Sequence, residues 1–141
     1  MAKRVLALDV GDRRIGLAVS DPLGITAQGL ETYTRTGEEE NDTDYIIGVA
    51  KRYEPVRLLF GMPRNMDGTY GFQADKVKAF AAAVLAKWEG EHVFYDERLS
   101  TVSAERVLIE AEMGWQKRRK VVDKLAATII LQGYLDSNPI L

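Results

Sequence analysis

No cysteine occurs in the 141 residues, and there is a single histidine, His92. The first absence excludes a disulfide framework and a zinc-thiolate site, and a reducing cytosol is the compatible setting. The second excludes a multi-histidine metal centre. Long apolar runs are missing too: no stretch approaches the ~18 residues of a membrane span. Asp9 and Asp12 interrupt what would otherwise serve as the apolar core of an amino-terminal secretory signal. A soluble, unprocessed, cytoplasmic protein with no membrane contact is expected. Nor is positive charge in excess. Nineteen basic against twenty-one acidic residues give a formal charge of -2, which argues against a globally basic nucleic-acid binder.

What is present is enough for one compact domain over residues 1–141, with 46% hydrophobic residues to fill its core. The charges are segregated. Glu38, Glu39, Glu40, Asp42 and Asp44 form an acidic stretch, and Lys117, Arg118, Arg119 and Lys120 an uninterrupted basic run. Either run alone reads as a solvated loop.

Arg4 to Val10 and Ile15 to Ser20 are β-rich runs separated by the polar turn Gly11-Asp12-Arg13-Arg14, which predicts a hairpin. A third strand, about Thr26 to Thr34, completes an antiparallel meander. Ile46, Ile47, Val49, Ala50 and Tyr53 then recur at helical spacing from Asp42 until Pro55 stops the helix. Arg57 to Phe60 is a short buried strand, and Gly61 to Gly71 is rich enough in turn residues to read as a loop. Ala74, Val77, Ala81, Val84, Leu85 and Trp88 make the stripe of a second helix, which Gly90 ends. His92 to Tyr95 is the fifth strand; Ser100 or Thr101 caps a helix running to about Gly114, and a last helix follows the basic run from Val121 to Asp136. The order predicts an α/β fold with a mixed five-stranded sheet: an antiparallel three-strand start, then parallel βαβ crossovers, flanked by helices. The strand ends at Asp9, Gly61 and Asp96-Glu97 then share one edge of the sheet, where ligands of open α/β sheets bind.

Asp9 is the most telling residue, because it ends the apolar run Val5-Leu6-Ala7-Leu8. A charge buried there without a partner or a metal is strongly unfavourable. Glu97 ends the fifth strand, and Asp123 is expected in the first turn of the last helix. Each has an ordinary explanation: turn capping for Asp9, a surface ion pair with Arg98 for Glu97, and helix-dipole complementation for Asp123. Together they describe an oxygen-only cage selective for magnesium or manganese. Such a cage holds two ions, one to activate water and one to stabilise the leaving oxygen of a phosphodiester. Ala126 and Ala127, one turn beyond Asp123, leave space beside it and are equally ordinary helix-packing residues.

Four segments carry a specific resemblance: Val5 to Asp21 (VLALDVGDRRIGLAVSD), Gly61 to Gly68 (GMPRNMDG), Asp96 to Arg106 (DERLSTVSAER) and Val122 to Asp136 (VDKLAATIILQGYLD). In kind and order they resemble the YqgF family, whose members are described as Holliday-junction resolvases and as pre-16S rRNA nucleases. The resemblance covers almost the whole chain. It implies a ribonuclease H-like fold, a divalent-metal site and a nuclease role in the bacterial cytoplasm. By position it makes Asp9, Glu97 and Asp123 the metal-binding and catalytic carboxylates. Arg64, Arg98 and Lys117 to Lys120 are then candidates for phosphate contacts, and Asn65 for a hydrogen bond to substrate. Arg64 also reads as a solvated loop residue, and Arg98 as a group that orients Glu97.

Three functions compete at this point. The first is a metal-dependent endonuclease acting on structured nucleic acid, with 5′-end processing of pre-16S rRNA ahead of Holliday-junction resolution. The second is a ribosome-maturation factor that binds nucleic acid through Lys117 to Lys120 without efficient hydrolysis. The third starts from Asp9-Val10-Gly11, which resembles the first phosphate loop of actin-like ATPases and sugar kinases; those proteins enclose ATP between two domains, and this chain supplies one. A monomer or weak homodimer is expected.

Overall fold

Two aliphatic runs joined by a turn that tolerates only glycine at its first position open the fold. β1 (Arg4–Val10) and β2 (Arg14–Ser20) pair antiparallel, with Val10 opposite Ile15 and Asp9 opposite Gly16. The Gly11 N–H donates to the Arg14 carbonyl at 2.9 Å. A Cβ on Gly11 would stand 2.8 Å from that same oxygen, so any side chain forces the hairpin apart. The computed structural model describes residues 4–63, 71–96 and 115–137, with the backbone alone at 72 and 115–124.

The turn into β3 (Ala27–Thr34) is organised by Asp21, whose Oδ1 accepts the N–H groups of Ile25 at 2.7 Å and Thr26 at 3.0 Å. These backbone bonds hold the Asp21 carboxyl below its ordinary pKa. Gly24, at φ 73, supplies the left-handed residue. α1 (Glu39–Arg52), β4 (Val56–Met62), α2 (Phe72–Leu85), β5 (His92–Asp96) and α3 (Trp115–Ser137) follow. The sheet order is β3-β2-β1-β4-β5, with β1 parallel to β4 and β4 parallel to β5. This is the expected mixed five-stranded sheet, and β1 is its central strand.

Alternation along β1 divides the core. Leu6, Leu8 and Val10 pack with Ile46, Phe80 and Val84 on the face covered by α1 and α2. Val5 and Ala7 pack with Ala126, Ala127, Ile130 and Leu131 on the face covered by α3. Small residues on both sides, Ala7 and Ala18 against Ala126 and Ala127, let α3 lie close to the sheet. Ala126 and Ala127 therefore serve as packing residues, the ordinary one of their two readings.

Several boundaries differ from expectation. α1 begins at Glu39, three residues before Asp42, because Glu39, Glu40 and Asp42 all complement the positive end of the helix, as Lys51 and Arg52 do the other end. Gly61 and Met62 belong to β4, where they pair with Tyr95 and Asp96; Met62 is 3% exposed, and pairing overrides its turn-like neighbours. Trp88 lies beyond the end of α2. The largest difference is in the last helix. It starts at Trp115, so Lys117 to Lys120 are helical and Asp123 is its ninth residue, well past the first turn. Lysine and arginine are good helix formers, and their charge alone had suggested a loop. The helix expected from Ser100 or Thr101 lies outside the described residues.

Candidate active site

The carboxyl ends of the three parallel strands lie side by side. Leu8, Phe60 and Phe94 form one row across β1, β4 and β5, so Asp9 begins the next row, with Gly61 and Tyr95. Asp9 is half-buried. Continuing the alternation of Val5 and Ala7, it belongs to the α3 face of the sheet. The residue directly opposite it on β2 is Gly16, which is buried and adds no side chain to that face. No side chain therefore stands directly across from this carboxylate on β2.

α3 is anchored over this face at its far end. Gln132 accepts the Ala27 N–H on Oε1 at 2.9 Å and donates from Nε2 to the Ile25 carbonyl at 3.1 Å, clasping the start of the edge strand β3. Tyr134 accepts a hydrogen bond from Arg57 Nη1 at 2.8 Å near the start of β4. The helix therefore runs back along the sheet, with its amino end toward the carboxyl end of β1. Ala27 pairs with Ser20, and the Ser20 hydroxyl accepts the Val5 N–H at 2.8 Å, so Gln132 is level with Val5. Position 123 lies in the part of α3 amino-terminal to this anchor. It also precedes the buried pair Ala126 and Ala127 by three and four residues, the step that continues one helix stripe.

The shift of the helix start removes the ordinary reading of Asp123, since dipole complementation fades beyond the first turn. Lys117 to Lys120 occupy the first two turns of α3, at the same end of the molecule. Glu97, Arg98, Arg64 and Asn65 lie outside the described residues, as do the side chains of Asp123 and the basic run. Among the described residues no three metal-ligating side chains cluster; Asp9 is the one member of the proposed cage whose side chain is described.

One polar group near the site carried no sequence signal. Tyr95, in the row of Asp9 and on the α3 face, is 6% exposed, and its hydroxyl has no hydrogen-bond partner among the described residues. Its ring stands edge-on to Tyr134, with centroids 5.7 Å apart. Arg35 and Lys76, which reach the other side of the β1–β2 hairpin, were likewise invisible as functional candidates, because neither belongs to a motif.

Comparison with known proteins identifies the family. The family model described as "RuvX: Holliday junction resolvase" matches residues 3–137. A protein of Desulforamulus reducens is 52% identical over 134 residues, covering 95% of this chain and 97% of the relative. One of Clostridioides difficile is 50% identical over 133 residues, covering 94% of each. Both carry the name "Putative pre-16S rRNA nuclease". The structure of T. thermophilus RuvC in complex with Holliday junction substrate is similar with a TM-score of 0.57, over 96% of each chain at 18% identity. That likeness is one of fold, and it makes the mixed sheet ribonuclease H-like. With a family model spanning almost its entire length and half its residues shared with these relatives, the chain belongs to the RuvX family, the YqgF family of the sequence resemblance.

Proposed function

We infer that this chain is one nuclease domain over residues 1–141, hydrolysing phosphodiesters of structured nucleic acid with a divalent metal in the cytoplasm. Its role is 5′-end processing of pre-16S rRNA in ribosome biogenesis. The observation that carries the reading is Asp9. It is half-buried at the end of the central strand, opposite a glycine, on the sheet face that α3 covers. The relatives sharing about half of this sequence bear the rRNA nuclease name.

Asp9, Glu97 and Asp123 are the proposed holders of two magnesium or manganese ions. Their hard oxygen donors suit these cations, and neither thiolate nor clustered imidazole competes. When bound, the metal supplies Lewis acidity that activates water and stabilises the leaving oxygen. The protein's part is to orient. β1 is buried on both faces, so it fixes the Asp9 carboxylate without a conformational search when substrate arrives. Lys117, Arg118, Arg119 and Lys120 are assigned to phosphates beside the cage, together with Arg64, Arg98 and Asn65.

Asp9→Asn should lower magnesium- or manganese-dependent cleavage by about 1,000-fold, or ~4 kcal/mol of transition-state stabilisation, while circular dichroism stays unchanged. Persistent cleavage by pure, folded Asp9→Asn protein would sink the assignment. The family description favours a second substrate, junction DNA. Mapping cleavage sites on precursor rRNA and on matched junction DNA decides between them. Binding of both without turnover by wild type would instead favour a non-hydrolytic maturation factor. Sedimentation should show a monomer or a weak homodimer.

A further inference from the structure

A second charged site lies across the β1–β2 hairpin from Asp9. On the sheet face covered by α1 and α2, a cavity of ≈ 720 Å³ opens between the hairpin turn, the end of β3, the amino-terminal end of α1 and the middle of α2. Arg13, Arg35 and Lys76 line it, and so do Asp12, Glu39 and Asp42. Formal charge cancels, but the acids are not equally available. Asp42 is 1% exposed and accepts from the Tyr33 hydroxyl, the Thr36 N–H and hydroxyl, and Arg35 Nε. Its carboxylate is consumed inside the protein. Asp12 meets Lys76 at 3.1 Å, with side chains 60% and 42% exposed, and an ion pair so wet is readily exchanged for another anion.

The cations are better placed. Arg35 is held on three sides: Nε on Asp42 at 3.4 Å, Nη1 on the Gly11 carbonyl at 2.9 Å, and the guanidinium over the Phe80 ring at 4.8 Å. Its Nη2 makes no hydrogen bond among the described residues. A guanidinium fixed by a carboxylate and a ring loses little side-chain freedom when it takes up one more acceptor. Arg13 is exposed on the turn itself. Because Arg35 already covers the Phe80 ring, no open aromatic face is offered to a stacked base. The chemistry that fits is phosphate.

We propose that this groove is a phosphodiester-binding subsite for a single strand of the nucleic-acid substrate, which passes from Asp9 over the Gly11–Arg14 turn to Arg13, Arg35 and Lys76. The inference rests on the nuclease reading for the direction of the strand, and its test is kept separate from cleavage. In an Asp9→Asn background with chelator present, a fluorescein-labelled single-stranded RNA 12-mer is titrated by anisotropy across a range of salt. Arg13→Gln should weaken binding about five-fold and reduce the slope of log K against log salt by about 0.7, the loss of one single-strand phosphate contact. Ala79→Glu, which adds a carboxylate at an exposed helical position lining the groove, should weaken it at least as much without unfolding α2. Glu39→Gln removes an opposing charge from the rim and should tighten binding about two-fold. Lys51→Glu, at the other end of α1, should leave it unchanged.

Parental affinity and slope in both Arg13→Gln and Ala79→Glu would overturn the subsite. An equal loss in Lys51→Glu would overturn it in favour of a diffuse field. Tight Arg13-dependent binding of AMP or inorganic phosphate would replace the strand with a small-anion pocket. Cleavage that survives Asp9→Asn strikes the nuclease reading alone, and leaves strand binding to be judged on these affinities.

Discussion

At the scale of single residues, Asp42 shows how this protein makes a buried charge tolerable. Burial pushes its carboxyl pKa up, but bonds from Thr36, Tyr33 and Arg35 outweigh burial and leave it below the ordinary value. A depressed carboxylate contributes stability that is present above its unfolded pKa of about 3.9 and lost as pH falls through the folded value. Asp42→Asn should therefore destabilise the protein by about 2 kcal/mol at pH 7, and the gap to wild type should close below about pH 4 in urea titrations. A gap constant from pH 7 to pH 3 would mean that the charge itself contributes nothing. Tyr45 supplies the alkaline arm. Burial and its hydrogen bond to Glu31 push it up to about 12, so its contribution is complete below about pH 10 and lost as pH rises through 12.

At the scale of elements, the strands were the most legible and the helix starts the least. β1 and β2 could be read because alternating burial on two faces demands continuous apolar runs, and Gly11 marks a turn with no room for a side chain. The beginnings of α1 and α3 were hidden, since each carries in its first turns charged residues that serve a helix as well as a loop. Asp9 was legible as a candidate from its place on an apolar strand. The facing groove was not, because Arg35 and Lys76 come from elements far apart in sequence and only the fold brings them to Arg13. Gln132 was equally silent: nothing in a helix marks one glutamine as the clasp of a strand. Gln132→Ala should lower stability by about 1 kcal/mol and speed exchange of the Ala27 amide, whose bond runs to that side chain. Unchanged exchange at Ala27 would show that α3 is held by its apolar face alone.

At the scale of the whole molecule, the sheet separates two kinds of work: α1 and α2 enclose a core on one face, while α3 meets the Asp9 face across small residues. Among the described residues, no helix is long and apolar enough to cross a membrane. The central place of β1 also sets an order of assembly. Its antiparallel partner follows after a tight turn, whereas its parallel partner β4 arrives only after β2, β3 and α1. Closing the short loop first loses less chain entropy, so the meander should form early and β5 late. Leu17→Ala in β2 should then mainly slow folding, and Val93→Ala in β5 mainly speed unfolding, in stopped-flow chevrons. The reverse pattern would place the nucleus in the parallel half. For a chain emerging amino end first, the strand that carries Asp9 acquires its frame while α3, with Asp123, is still unmade. Completing the proposed cage is then the closing step of folding, and a partly made chain holds at most a fragment of it.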